Sequence, residues 1–249
     1  MSATVRIESF PMQRGTDRGF FLILLTLIWA GIVAGFVPDM FLHLEGHHVA
    51  YAWIVHVHAI AYLGWLALLT TQMALIRSDR RDVHRRVGWI GLGLIVAMVV
   101  LGPAAAVIMA QRKFGTPGSD PSFLIIQFMI VANFAVTALA AFALRRNSAA
   151  HRRLMILATI FLSSAGFSRW LAPPLGPLLG TGAGSLYLQL FVCSDILLLA
   201  IGVHDWLTRR RLQRAYAIAA PLGILSQVLM VWIYTLPGWK SIAVRLIGH

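Results

Sequence analysis

Seven long apolar stretches, separated by short segments rich in arginine, constrain this chain more than any other feature. A helix needs about 20 apolar residues to cross a hydrocarbon core of about 30 Å, and each stretch meets that length. Backbone groups within lipid must bond to one another, so each stretch is predicted to be a helix. The predicted spans are residues 19–37, 51–76, 88–110, 122–144, 154–173, 186–206 and 216–236.

The composition supports the same class of protein. The chain is 59% hydrophobic and 12% charged, whereas a soluble domain has about 25% charged residues. We therefore predict an all-α polytopic membrane helix bundle with seven transmembrane helices. It has a cytoplasmic N-terminal tail (1–18), a seven-span membrane domain (19–237) and an extracytoplasmic C-terminal tail (238–249). No cleavable signal peptide is expected, because the first apolar run is longer than a signal core.

The arginine clusters predict the orientation. Of the 21 basic residues, 16 fall in the N-terminal tail and the three loops on its side of the membrane. Basic residues accumulate on the cytoplasmic side, so we expect the N-terminus inside and the C-terminus outside a bacterial cytoplasmic (inner) membrane. The net charge of +12 is explained by these loops, and anionic lipid rather than nucleic acid is their expected partner.

The tripeptide His-Arg-Arg occurs twice, at residues 84–86 and 151–153, each time at the start of an odd-numbered span. Positive-inside bias explains the arginines but does not require the histidines. One interpretation is that these groups cap helices or bind lipid phosphates. The other is a single cytoplasmic-side cluster formed by Gln72, His84 and His151.

Ionisable residues deep within spans are costly in lipid and are candidates for function. His58, Arg169 and Asp195 lie in the outer half of spans 2, 5 and 6, and we predict an intramembrane site where they converge. The alternative is structural, with an Arg169–Asp195 ion pair that joins spans 5 and 6 and His58 bonded to a carbonyl.

Two cofactor hypotheses follow from the histidines. His84 and His151 match in depth on different helices, as the two axial ligands of a b-type haem must, which leaves haem b possible at the cytoplasmic side. His43 and His47, four residues apart, form a weak outer metal candidate if that segment is helical; solvated interfacial histidines are the alternative. The one cysteine, Cys193, allows no disulfide and no c-type haem attachment.

The segment "HVHAIAYLGWLALLTTQMALIRSDRRDVHRRVGWIG" resembles an uncharacterised family of bacterial multi-span membrane proteins. Its members show His, then Trp, then Gln, then a basic loop ending in His-Arg-Arg-x-Gly-Trp. Further blocks of the resemblance are "HRRLMILATIFLSSAGFSRWLAP" and "SDILLLAIGVHDWLTRRRLQRA". The likeness to cytochrome-b-type bundles is only distant, because the chain lacks their full set of histidines. The positions that match the family are His58, Trp65, Gln72, His84, Arg85, Gly88, Trp89, His151, Arg152, Met155, Arg169, Asp195, Asp205 and Arg209.

Two classes of function remain open. In the first, the polar intramembrane site binds a redox cofactor or a small hydrophobic ligand, either haem b or a quinone. In the second, the protein is a non-enzymatic subunit, a sensor or a transporter-like protein, and its polar residues are structural. No Ser–His–Asp order, HExxH motif or P-loop assigns an enzymatic reaction.

Overall fold

The computed structural model of the protein describes residue 10, residues 14–46 and residues 49–249. These residues form helices and contain no strand, which confirms the all-α prediction. Seven of the helices are long and apolar enough to cross a membrane, as predicted. The helices are α1 (Arg14–Leu44), α2 (Trp53–Arg77), α3 (Arg81–Lys113), α4 (Leu124–Ala143), α5 (Ser148–Leu179), α6 (Ala183–Arg209), α7 (Arg214–Tyr234) and α8 (Pro237–Leu246).

Most spans extend beyond their predicted limits. Apolar runs mark only the part of a helix that suits hydrocarbon, whereas hydrogen bonding continues into polar turns at both ends. Thus α1 continues to Leu44 and α5 begins at Ser148. Both His-Arg-Arg segments, which lie just before the predicted starts of spans 3 and 5, are within the first two turns of α3 and α5.

Prolines interrupt the helices less than expected. Pro173 and Pro174, predicted at a helix end, lie within α5, which continues to Leu179. Pro103 and Pro221, expected to kink or end their spans, lie within α3 and α7, and both helices continue past them. Prolines are tolerated in membrane helices because neighbouring helices and local adjustments satisfy the freed carbonyls.

Helix α5 lies at the centre of the bundle and packs against α1, α4, α6 and α7. Helices α2 and α3 form a hairpin that packs against α4 through α3. Two indole hydrogen bonds attach α2 to the rest. Trp65 Nε1 donates to Thr159 Oγ1 on α5 at 3.1 Å, and Trp29 Nε1 on α1 donates to Thr70 Oγ1 at 3.1 Å.

Glycines bring α1 and α5 into close contact. Gly31 and Gly35 on α1 face Gly166 on α5, where an added Cβ would lie 2.9 Å from the Gly31 carbonyl oxygen. Small residues at such a spacing let two membrane helices approach until their backbones touch. The register between α1 and α5 is therefore determined at these three positions.

The C-terminal residues are helical, which differs from the predicted tail. In α8, Trp239 Nε1 donates to the Ser122 carbonyl at 2.8 Å, in the short 3₁₀ turn that precedes α4. Ala243 and Ile247 are buried against the same region. The apolar face of α8 is short, so hydropathy alone does not distinguish it from a tail.

Candidate functional site

Arginines concentrate at one end of the bundle. This end comprises the starts of α1, α3, α5 and α7 and the ends of α2, α4 and α6, and we call it the basic end. Short turns join the helices here, and most of their arginines are exposed or half-exposed. The other end holds the start of α2, the end of α1 and helix α8, and we call it the opposite end.

The structure brings Gln72, His84 and His151 together at the basic end. The His84 and His151 rings, on α3 and α5, have centroids 6.4 Å apart and planes at 87° to each other. Gln72, on the penultimate turn of α2, lies beside the start of α3, where its Nε2 atom is 3.5 Å from the position of a Cβ on Gly88. We call these three residues the histidine cluster.

Local structure explains where His151 lies. The Asn147 side chain accepts a hydrogen bond from the Ala150 N–H at 3.1 Å and caps the start of α5. An N-cap of this kind determines where a helix begins. His151 then follows in the first turn, and its Nδ1 lies 2.8 Å from the Ala141 carbonyl oxygen on α4.

The hydrogen bonds of the cluster leave ring nitrogens available to a ligand. A carbonyl only accepts, so His151 Nδ1 carries the hydrogen and Nε2 carries the lone pair of the neutral ring. His84 Nδ1 and Gln72 Oε1 are buried with no hydrogen-bond partner. Buried polar atoms are nearly always bonded, so unpartnered ones suggest a missing ligand or water.

The predicted convergence of His58, Arg169 and Asp195 is wrong in part. Arg169 Nε lies 3.6 Å from Asp39 Oδ2 on α1, whereas Asp195 Oδ2 accepts a hydrogen bond of 2.7 Å from Tyr187. The expected Arg169–Asp195 ion pair is therefore wrong. The physical reason is that α1 extends beyond residue 37, so that its Asp39 reaches Arg169 on α5.

His58 and Arg169 do remain neighbours at the opposite end. Arg169 is close enough to His58 and Tyr62 of α2 for its positive charge to interact electrostatically with both side chains. The ring centroids of His58 and Tyr62 are 6.1 Å apart. His58 Nδ1 and Tyr62 Oη are buried without a partner, so the expected bond from His58 to a carbonyl does not form at that nitrogen. The guanidinium of Arg169 also lies 4.1 Å from the centroid of the Phe36 ring.

At the end of α1, Asp39, His43 and Tyr51 form a small group of hydrogen-bonded and stacked side chains. His43 lies within α1, with its Nδ1 2.8 Å from the Asp39 carbonyl oxygen and its ring stacked on Tyr51 at 3.7 Å. Tyr51 donates to Asp39 Oδ2 at 2.6 Å, and burial together with this bond raises the pKa of Tyr51. His47 lies outside the described residues. Within residues 14–46 and 49–249, no group of three His, Cys, Asp or Glu side chains is placed to hold a metal ion.

Sequence reasoning missed a buried ionic cluster at the basic end. Arg153 on α5 and Asp205 on α6 are both fully buried, and Arg153 donates to both carboxylate oxygens, through Nε at 2.8 Å and through Nη2. Arg209 Nη1 lies 3.5 Å from the same carboxylate, and the Gln213 N–H donates to it at 3.3 Å.

A second carboxylate completes the cluster. Asp17 on α1 is fully buried and lies 2.5 Å from Arg152 Nη2, 2.5 Å from Arg209 Nη2 and 3.0 Å from His204 Nε2. Phe20 stacks on His204 with centroids 4.0 Å apart. The cluster thus joins α1, α5 and α6.

The sequence contained a hint of this cluster. The chain has nine acidic residues, and Asp17 and Asp205 are two of the few in the arginine-rich segments. When a single carboxylate lies among several arginines at the boundary of the membrane, a buried ion pair with one of them is a better expectation than a solvated tail. Counting arginines only as topology markers concealed that role.

No protein-family model, curated protein or solved structure matches this chain. The functional interpretation therefore depends on the polar groups held within the bundle.

Proposed function

We propose that this integral membrane protein binds a small redox-active hydrophobic ligand, haem b or a quinone, at the histidine cluster. The observation that carries the proposal is the pair of facing imidazoles, His84 and His151, with centroids 6.4 Å apart. One of these rings has a buried Nδ1 with no partner, and the other presents Nε2 because Nδ1 is bonded to a carbonyl.

The separation of the two rings suits a shared metal ion. A metal–imidazole nitrogen bond is about 2.0 Å, so a metal midway between two imidazoles places their centroids about 6 Å apart. Histidines that bind metals usually donate their other N–H to a carbonyl or carboxylate, as His151 does to Ala141. Bound haem would supply reversible one-electron chemistry, and His84 and His151 would be the residues that hold it.

The same groups suit the headgroup of a quinone or quinol. Gln72 Oε1, His84 Nδ1 and the lone pair of His151 Nε2 accept hydrogen bonds from the hydroxyls of a quinol, because the N–H of His84 donates to the Gln72 backbone carbonyl. The positive charge of Arg85 interacts with the His84 ring, and that of Arg145 interacts with the His151 ring. A nearby positive charge favours the anionic groups of either ligand, which are a haem propionate or a reduced quinone.

The test is the visible spectrum of the protein purified in mild detergent, oxidised and then reduced with dithionite, followed by titration with haemin and with a short-chain quinone. In the haem case, Soret and α bands appear and are lost in both His84→Ala and His151→Ala. In the quinone case, no haem bands appear, the quinone binds, and Gln72→Ala and His84→Ala weaken its binding.

The control is His56→Ala, because His56 lies on the exposed side of α2 and outside the cluster. This variant retains binding in both cases. If neither haemin nor quinone binds the unaltered protein, the proposal fails. The alternative of a non-enzymatic subunit, sensor or transporter-like protein with structural polar residues then replaces it.

We further propose that the protein lies in a bacterial inner membrane with the basic end in the cytoplasm, as expected for the family that it resembles. Exposed arginines at the basic end support this orientation and an interaction with anionic lipid headgroups. A reporter enzyme fused after residue 249, active only outside the cytoplasm, tests the orientation. Activity of this fusion is the expected outcome, and an inactive fusion that is correctly inserted contradicts it.

A further inference from the structure

Asp195 lies near the centre of a membrane-spanning helix. It is twelve residues after Ala183 and fourteen before Arg209, the first and last residues of α6. At 1.5 Å per residue, it is about 18 Å from one end of the helix and about 21 Å from the other. No water-facing end of α6 is therefore close to this carboxyl group.

The partners of Asp195 are uncharged. Asp195 Oδ2 accepts a hydrogen bond of 2.7 Å from Tyr187, whereas Oδ1 is buried with no partner. The groups that act on its ionisation are Tyr187 of α6 and Gln227 of α7, and α5, which also packs on α6, contributes no charged group. In the part of the chain that the structure describes, no Arg, Lys or His lies within ion-pair distance of Asp195. By contrast, Asp17, Asp39 and Asp205 all have cationic partners.

The Tyr187 hydroxyl faces two oxygen atoms, and a protonated Asp195 allows hydrogen bonds to form with both. Tyr187 Oη lies 2.7 Å from Asp195 Oδ2 and 3.2 Å from Gln227 Oε1, which are both acceptors. One hydroxyl hydrogen serves only one of them. If Asp195 is a carboxylic acid, its O–H donates to Tyr187, and the Tyr187 hydroxyl donates to Gln227.

The energetic cost leads to the same protonation state. An ionised carboxylate without a cation in hydrocarbon costs several kcal/mol, and such a group takes up a proton instead. From this geometry we propose that Asp195, Tyr187 and Gln227 form an intramembrane proton-binding site in which Asp195 holds a proton at neutral pH. This site is independent of the ligand proposed for the histidine cluster.

Tyr187 connects this site to the opposite end of the bundle. It lies in the second turn of α6 and is half-buried, whereas Asp195 lies two turns deeper. The Asp195–Tyr187 hydrogen bond therefore leads from the centre of the membrane towards the opposite end. Protons exchange with Asp195 from that side.

The experiment is labelling with dicyclohexylcarbodiimide, an apolar reagent that reacts with protonated carboxyl groups, read out by mass spectrometry of the peptide containing residue 195. We expect labelling at neutral pH, none at that peptide in Asp195→Asn, and full labelling of residue 195 in the control Asp82→Asn, since Asp82 is exposed at the start of α3. Above the titration midpoint, labelling falls about tenfold per pH unit, because the protonated fraction does.

Asp195→Asn is also a test of folding, since asparagine mimics the neutral acid. This variant unfolds at the same temperature as the unaltered protein if Asp195 is normally protonated. An unlabelled Asp195 at neutral pH overturns the proposal. Labelling blocked by sodium but not by choline at equal ionic strength also overturns it, because the carboxylate would then hold a metal cation.

Discussion

Arg153 of α5 and Asp205 of α6 form an ion pair in which both side chains are fully buried. The pair connects the central helix to its neighbour at the basic end, close to the histidine cluster. Because α5 also carries His151, two residues before Arg153, this pair helps to determine the position of the cluster.

Asp205→Asn should destabilise the protein severely. Removing one member of a buried ion pair leaves the other charge uncompensated and costs about 3–5 kcal/mol. Thermal unfolding in detergent, followed by circular dichroism, measures this loss. Asp82→Asn removes an exposed carboxylate at the same end and serves as the control, with an expected change within about 0.5 kcal/mol. Equal effects of the two substitutions would show that burial of Asp205 is unimportant.

Asp17 and Arg209 should couple energetically across α1 and α6. Their side chains lie 2.5 Å apart and are almost fully buried, so a double-mutant cycle of Asp17→Asn and Arg209→Gln should give a coupling of about 0.5–3 kcal/mol. The control cycle combines Asp17→Asn with Lys240→Ala, because Lys240 lies on α8 at the opposite end of the bundle. Additivity in both cycles would contradict the buried cluster.

Gly166→Ala should weaken the contact between α1 and α5. The added methyl group would lie 2.9 Å from the Gly31 carbonyl oxygen and must force the two helices apart. Overpacking of this kind costs about 1–3 kcal/mol. Gly93→Ala on α3 is the matched control, because no atom lies within 4 Å of its added Cβ. We expect Gly93→Ala to be neutral or slightly stabilising, because alanine favours a helix more than glycine does. The measurement is the unfolding temperature of each variant compared with that of the unaltered protein.

Tyr51 should make the protein sensitive to alkali. Burial and the Asp39 hydrogen bond raise the pKa of Tyr51 above its ordinary value of 10.0. The stabilisation is fully present below that value and is lost as the pH rises towards the folded-state pKa, because only the unfolded chain releases the proton. Tyr51→Phe should therefore unfold at a temperature that declines less between neutral and alkaline pH. An unchanged decline would show that Tyr51 ionises equally in both states.

Some of the geometry of the candidate site was predictable from the sequence. Gln72, His84 and His151 were predicted to form one cluster because each lies close to the basic end of its apolar span, at a similar depth. Depth along a helix follows directly from residue number and rise per residue. The turns between α2 and α3 and between α4 and α5 are also short, which keeps consecutive helix ends adjacent.

At the opposite end, the depth of each residue along its helix was not enough to predict which side chains pair. Arg169 and Asp195 both lie within the membrane, and mutual neutralisation was a reasonable expectation. The rotation of each helix about its axis decides the partner, however, and it turns Arg169 towards Asp39 on α1 and Asp195 towards Tyr187 and Gln227. The underestimated length of α1 concealed Asp39.

The sequence by itself determined the seven spans, the basic end and the approximate depth of the polar residues inside the predicted spans, because the transfer of apolar side chains into lipid is a local property of each stretch of chain. Only the tertiary structure decided which polar residues meet. Pairings such as Asp17 with Arg209 and Arg153 with Asp205 depend on the rotation and register of helices distant in the chain. Close packing at positions such as Gly31 and Gly166 sets that register.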